Sequence, residues 1–228
     1  MQMLQKKNNL ILDCDGVLYP LAALPTEKFV TAMKDVYRSE LKLSGEEQSR
    51  ISLKTIAENH LGMFNYILEM CYATGYDFNV FCRQMSERMD YSAIKPNPQL
   101  WKTLKNLQPN HNIAIWSNGC RPHLDCVFDR LFSKNTTDVE AEGILVFDIC
   151  KMKENGYFKP KQSEGGFALF FKKTGFQAQD CILFDDTARN LTMAKAYGVR
   201  GVLVKDETPL QNLLMQNKLL KGISKSYE

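Results

Sequence analysis

The 228-residue sequence predicts an α/β fold, a parallel sheet interrupted early by an all-helical insertion. Three short apolar runs that each end in polar residues predict the strands: Leu10-Ile11-Leu12, Ile113-Ala114-Ile115-Trp116 and Cys181-Ile182-Leu183-Phe184. Helical spacing fills most of the intervals between the later runs, and strand alternating with helix implies a Rossmann-like sheet with helices on both faces. From Pro20 to Lys95 only helical periodicity is present, which sets that stretch apart from the rest.

The elements follow in order. Within the insertion, Phe29, Met33, Val36, Tyr37 and Leu41 form one helical stripe. Ser44-Gly45-Glu46-Glu47 opens the next helix as a capping box. Phe64, Leu68, Cys71 and Tyr72 form a third stripe, and Asp77 opens a fourth that carries Phe78, Phe81, Met85 and Met89. These Met and aromatic residues read as the core of the helical segment. Lys95-Pro96-Asn97-Pro98 makes a Pro-rich return with the character of a hinge. Leu100, Trp101, Leu104 and Leu107 form one helix beyond it, and Leu124, Val127, Phe128 and Leu131 another. Phe167 to Phe171 form an apolar helical run; Leu191, Ala194 and Tyr197 precede Gly198 and a strand from Val199 to Val204. Thr208 and Pro209 begin a last helix, as cap and first turn.

The chemistry sits where the strands stop. Asp13 and Asp15 stand two residues apart at the exit of the first strand, ahead of Gly16. Converging carboxylates repel unless a cation lies between them, so the pair reads as a Mg²⁺ site, one Asp a carboxylate nucleophile and the other a proton donor. Ser117-Asn118-Gly119 ends the second run and Asp185-Asp186-Thr187 the third. Ligands of open parallel sheets bind at the carboxyl ends of the strands. A phosphoryl group beside Asp13 would find hydroxyl and N–H donors at Ser117 and Asn118, and positive charge on a lysine of Phe158-Lys159-Pro160-Lys161. Asp13, the main-chain carbonyl of Asp15, and Asp185 or Asp186 suffice for Mg²⁺, which keeps several waters. No His or Cys cluster has zinc spacing.

Asp13-x-Asp15-Gly16-Val17-Leu18, Ser117-Asn118-Gly119, a Lys-Pro region and Phe184-Asp185-Asp186, in that order, resemble the four motifs of the haloacid dehalogenase-like (HAD) hydrolase superfamily. The resemblance spans nearly the whole chain. It implies a HAD core at residues 1–20 and 96–228, with residues 21–95 in the position of a helical cap. Leu18-Tyr19-Pro20, the stretch from Asp90 to Pro98, and Asp185 to Leu191 resemble the pyrimidine 5′-nucleotidase-like branch. The activity so implied is a Mg²⁺-dependent phosphomonoesterase acting on a small phosphorylated metabolite, a nucleoside 5′-monophosphate first. Asp13 would be the nucleophile and Asp15 the acid and base. Ser117, Asn118 and a lysine would hold phosphate, and Asp13, Asp15, Asp185 and Asp186 the metal. The alternatives are a sugar-phosphate phosphatase or phosphomutase on the same scaffold, or a non-catalytic interaction protein of the same fold. Two departures stand out. Val17 replaces the usual Thr, and the third motif is ambiguous: the Lys-Pro dipeptide points to Lys159, whereas counting back from the helix near Phe167 favours Lys161.

Composition narrows the classes further. Hydrophobic residues make up 44% and charged residues 24%, ordinary for a globular chain able to bury a core. A net charge of +3 from 29 basic and 26 acidic residues is too balanced to suggest nucleic acid, and Lys218, Lys221 and Lys225 read as a solvated helix end. No apolar run approaches the ~18 residues that span a bilayer. Seven cysteines without a C-x-x-C pair, and no apolar leader, imply reduced thiols and a cytoplasmic location. Cys14 reads as a small buried apolar group. Asn135-Thr136-Thr137 matches a glycosylation sequon, without meaning in that compartment. His60, His111 and His123 are the only histidines, and with Asp15 already assigned acid-base work they read as surface or helix-end residues.

Overall fold

In the computed structural model, residues 7–58, 62–206 and 209–215 are described. Five parallel strands form the sheet in the order β3-β2-β1-β6-β7, with β1 Asn8–Leu12, β2 His111–Trp116, β3 Leu145–Phe147, β6 Cys181–Asp185 and β7 Arg200–Leu203. β1 is the middle strand, paired with β2 from Asn8 opposite His111 and with β6 from Asn9 opposite Cys181. A strand covered on both faces has no polar side to show, which is why Leu10, Ile11 and Leu12 form an unbroken apolar run.

Among the described residues, four α-helices lie between β1 and the Pro-rich return: α1 Thr26–Val36, α2 Gly45–Ala57, α3 Met63–Thr74 and α4 Phe78–Glu87. The expected caps are present. Ser44 and Glu47 close a capping box on α2, and Asp77 accepts the Val80 N–H at the start of α4. A π-helical turn, Tyr37–Leu41, extends α1 along the predicted stripe and stops at Lys42 in the left-handed region.

The chain then runs outward from β1 through α5 Pro98–Leu107, β2, α6 Arg121–Phe132 and α7 Thr136–Ala141 to β3. It re-enters through the hairpin β4 Lys153–Glu154 and β5 Tyr157–Phe158, α8 Gly166–Thr174 and β6, and finishes with α9 Ala188–Ala196, β7 and α10 Leu210–Met215. Right-handed crossovers place α5 and α6 on one face and α8 and α9 on the other. Trp101 packs on Phe132 between α5 and α6, whereas Trp116 of β2 stacks on Phe170 of α8 at 4.3 Å between ring centroids. The direction of travel reverses between β1 and β6, the topological switch point where open α/β sheets bind ligands.

Several features depart from the sequence reading. β3, α7 and the β4–β5 hairpin are additional elements. The hairpin turns on Asn155 and Gly156, both at positive φ, the residue pair that such a two-residue turn requires. Asn135 of the sequon is a helix cap: its side chain accepts the Asp138 N–H, and Asp138 accepts the Asn135 N–H in return. Tyr72 is 56% exposed and stands outside the helical core. Thr208, Lys218, Lys221, Lys225 and His60 lie outside the described residues.

The helical segment shares one continuous apolar cluster with the sheet. A polar clamp joins them as well. Asn65 of α3 donates to the Phe158 carbonyl at 2.9 Å and accepts the Phe158 N–H at 2.8 Å, so a buried side chain serves as the pairing partner of the β5 backbone. Leaving buried backbone groups unpaired costs about 1–3 kcal/mol. Asn65→Ala is therefore expected to lower the unfolding free energy by that amount, read as a fall in the urea midpoint; an unchanged midpoint would refute the clamp.

Candidate active site

Four side chains from three strand-end loops meet at the switch point. Asp13 leaves β1 with its N–H still bonded to the Phe184 carbonyl at 2.9 Å, which continues the sheet by one residue and fixes where the carboxylate emerges. Lys161 reaches it from the loop before α8, with Nζ 2.7 Å from Asp13 Oδ1 and 2.8 Å from Asp185 Oδ2. The ammonium is 1% exposed. Burial alone would lower its pKa, but the two carboxylates outweigh burial and hold it charged. Asp13 is itself pushed well above the usual carboxylate range by burial, against the pull of Lys161, with Asp185 and Asp15 adding to the rise.

Asp185, the last residue of β6, is hydrogen-bonded on all sides. It accepts Lys161 Nζ, the Thr187 N–H at 2.9 Å, and Asn190 Nδ2 at 2.9 and 3.1 Å. Asn190 lies in the first turn of α9, where the helix aims its side chain back at the strand end. Asp186 is half-buried and accepts the Thr187 hydroxyl, 3.0 Å from Oδ1, while burial raises its pKa. Gly16 makes room for it: φ is +74°, and a Cβ at that position would stand 2.2 Å from Asp186 Oδ2.

Oxygens of Asp13, Asp185 and Asp186 lie within 4.8 Å of one another. Three carboxylates against one ammonium leave an excess of negative charge in a poorly solvated place, and the donors are all oxygen. That is the donor set of a hard divalent cation, and Mg²⁺ fits it. The saturated Asp185 leaves Asp13 and Asp186 as the carboxylates with capacity to spare. The Asp15 side chain stands outside this group and points elsewhere, so Asp15 could reach a metal there only through its main-chain carbonyl.

Ser117 and Asn118 follow β2. Ser117 is buried, accepts the Gly119 N–H at 2.8 Å, and brings its hydroxyl to 3.5 Å from Asp15 Oδ2. The Asn118 side chain joins two loops: it accepts the Lys161 N–H at 3.0 Å and donates to Gln162 Oε1 at 2.9 Å. This link fixes the register of the lysine loop. Lys159 is half-exposed, and its ammonium has no carboxylate partner among the described residues. Of the two lysines, the structure brings only Lys161 to Asp13.

His123 corrects the sequence reading. It is fully buried in the first turn of α6, with Nε2 2.8 Å from Asp15 Oδ1 and Nδ1 3.0 Å from the Tyr91 hydroxyl. The Tyr19 hydroxyl donates to the same Asp15 oxygen. Burial would raise the Asp15 pKa, but the charge and hydrogen bond of His123, with the Tyr19 bond, draw it down to about 2. Burial would likewise lower the imidazole, and Asp15 reverses that. One signal for this residue is present in the sequence: Pro122 marks a helix start, placing His123 on the turn that faces the strand ends. His111 is half-buried at the start of β2, with Nδ1 3.2 Å from the Leu107 carbonyl.

Beside Asn118 lies a pocket of about 130 Å³ whose walls include Phe64, Asn65, Phe158 and Gln162. A larger hollow of about 300 Å³, lined by residues 16–20, 204–206 and 209–212 among others, includes none of the converging charges.

No protein-family model and no curated protein matches the sequence. Solved structures do match. A predicted HAD-like family hydrolase from Porphyromonas gingivalis shares 18% identity over 94% of this chain and 98% of its own, with a TM-score of 0.56. A HAD-family enzyme from Bacteroides thetaiotaomicron, in complex with magnesium and inorganic phosphate, shares 18% over 88% of this chain and 95% of its own, at 0.52. CbbY from Rhodobacter sphaeroides, as a mutant in complex with xylulose-(1,5)-bisphosphate, shares 13% over 90% and 88%, at 0.54. At such identities the likeness is one of fold, and the fold is that of the HAD enzymes.

Removing one partner of a buried ion pair costs about 3–5 kcal/mol, whereas a surface change stays within about 0.5 kcal/mol. In Mg²⁺-free buffer Lys161→Met is expected to lose stability on the first scale and Lys159→Met on the second, by urea unfolding. Equal effects would contradict the placement of the two lysines.

Proposed function

We propose that the chain is a Mg²⁺-dependent phosphomonoesterase that works through an aspartyl-phosphate on Asp13, with a pyrimidine nucleoside 5′-monophosphate as its substrate. The observation that carries this is the position of Asp13 at the switch point, 2.7 Å from a buried lysine and within reach of two further carboxylates. A bound Mg²⁺ would neutralise charge on the transferring group and draw its oxygens into line. Asp13, Asp186 and the Asp15 carbonyl would hold it. Asp185 acts through Lys161, which it anchors from the far side.

The remaining steps belong to the chain's own residues. Asp13 attacks phosphorus; Lys161, the Ser117 hydroxyl and the Asn118 N–H hold the phosphoryl oxygens. Asp15 gives a proton to the leaving oxygen and later takes one from the attacking water. Its carboxylate is ionised in the state described, and a phosphate dianion bound beside it favours proton uptake, since like charges disfavour ionisation.

Residues 21–95 act in this reading as a cap over residues 1–20 and 96–228. The pocket beside Asn118 is smaller than the roughly 300–1,000 Å³ of whole-ligand sites, so it would take one planar ring between Phe64 and Phe158 while the phosphate lies at Asp13. That supports a nucleotide. A phosphorylated sugar is the second reading, supported by the bisphosphate complex of CbbY. The seven cysteines are all unpaired, in keeping with a cytoplasmic protein, and among the described residues no helix is long and apolar enough to cross a membrane.

Hydrolysis of UMP and CMP is expected to require Mg²⁺, to stop with EDTA, and to exceed that of hexose phosphates and aryl phosphates in kcat/KM. A preference for sugar phosphates, or phosphate moved to a new position on the substrate, would shift the reading to a sugar phosphatase or a mutase. No Mg²⁺-dependent turnover of any phosphomonoester would favour a non-catalytic protein.

Asp13→Asn is expected to abolish turnover with the fold intact by circular dichroism. Lys161→Ala should cost on the order of 10²-fold or more, the scale of one lost preorganised donor, and Lys159→Ala little. Retained activity in Asp13→Asn would contradict the mechanism.

A further inference from the structure

We infer that His123 is a positioning residue: with Tyr19 and Tyr91 it fixes the Asp15 carboxylate so that Oδ2, and not Oδ1, is the oxygen that exchanges a proton with the leaving group and the attacking water. The inference rests on the phosphomonoesterase reading and specifies how its acid is aimed.

Asp15 Oδ1 is occupied twice, by the Tyr19 hydroxyl and by His123 Nε2 at 2.8 Å. Among the described residues Oδ2 has only the Ser117 hydroxyl, at 3.5 Å, the outer limit of a hydrogen bond. An ionised carboxylate only accepts, so Nε2 carries a hydrogen and donates it. The other ring nitrogen is satisfied whatever the charge of the ring. When Nδ1 is bare it accepts from the Tyr91 hydroxyl at 3.0 Å; when it carries a hydrogen it donates to the same oxygen, and the hydroxyl turns to Met89 Sδ at 3.7 Å. The orientation of Asp15 therefore holds in either protonation state of His123.

The ring has no freedom to turn away. It is fully buried, Phe29 lies edge-on at 5.1 Å between centroids, and Gly119 backs onto it so closely that a Cβ there would stand 2.8 Å from Cδ2. The glycine of Ser117-Asn118-Gly119 thus makes room for this imidazole. Phe29 belongs to α1, Tyr91 follows α4, and Tyr19 precedes the first helix. The aim of the acid is set by residues at both ends of the helical segment, so a shift of that segment against the sheet would move Asp15.

A test needs a readout that a merely structural role would not move. kcat/KM reports the first phosphoryl transfer, in which an alkyl leaving group needs a proton and dinitrophenolate does not. His123→Leu removes the donor; His123→Gln keeps an N–H near the Nε2 position without a titrating ring. In His123→Leu, kcat/KM for alkyl phosphates is expected to fall by ~10²–10⁴-fold, the scale of general acid catalysis, with a far smaller change for dinitrophenyl phosphate. His123→Gln should restore most of the ratio between the two substrates, and Tyr91→Phe should lower it in the same direction. Equal losses on both substrates, or none, would overturn the inference.

A second measurement is independent of activity, and its decisive outcome is read on the wild type. With only three histidines, ¹⁵N-labelled wild-type protein should show one imidazole with a slowly exchanging Nε2–H that is absent from His123→Gln. Absence of such a proton in the wild type would overturn the inference even if turnover is found. Its presence in a protein that hydrolyses no phosphomonoester would instead remove the phosphatase reading and leave the orientation of Asp15 standing.

Discussion

One buried ammonium between two carboxylates organises this molecule. Lys161 lies between Asp13 and Asp185, which stand at the carboxyl ends of the adjacent strands β1 and β6, and each of the three would be costly to bury alone. The sheet order places β1 beside β6 and so brings the two aspartates to one lysine. The surrounding polar contacts serve the same end. Asn190 and the Thr187 N–H satisfy Asp185, the Asn118 side chain sets the register of the lysine loop, and Gly16 lets Asp186 approach. The excess negative charge that remains, offered by oxygen donors alone, suits a hard divalent cation.

A second polar assembly lies on the other side of Asp13. Asp15, Tyr19, His123 and Tyr91 form a hydrogen-bonded chain that shares no side chain with the lysine cluster, although only one residue separates Asp13 from Asp15. The exit turn after β1 sends the two carboxylates to different partners: Asp13 stays with the lysine, and Asp15 meets residues flanking the helical segment. Two acids of one type thereby acquire opposite environments, the usual physical basis for a division of labour between nucleophile and proton carrier.

What was legible in the sequence follows from burial. β1, β2 and β6 are covered on both faces, so each appears as a continuous apolar run, and the ends of those runs locate Asp13, Ser117 and Asp185 directly. The fold class was legible for the same reason, and the helices α1 to α4 were legible from the helical spacing of their apolar residues. β3 offers three residues, too few to show a period, and the β4–β5 hairpin has two on each side. His123 was misread because its partners are 108 and 32 residues away in sequence, and no local pattern marks a histidine that a tertiary contact buries. The aromatic positions of the helical stripes gave core in most cases; of Phe64, Tyr72 and Phe78, only Phe64 lines the pocket beside Asn118.

The central claim is that the Asp13 carboxylate becomes an acyl phosphate during turnover. Protein turning over dinitrophenyl phosphate with Mg²⁺ can be quenched in acid, reduced with borohydride and mapped by peptide mass spectrometry. An acyl phosphate at Asp13 would be reduced to homoserine at position 13, and that conversion is the predicted result. Turnover that leaves Asp13 unchanged would contradict the account.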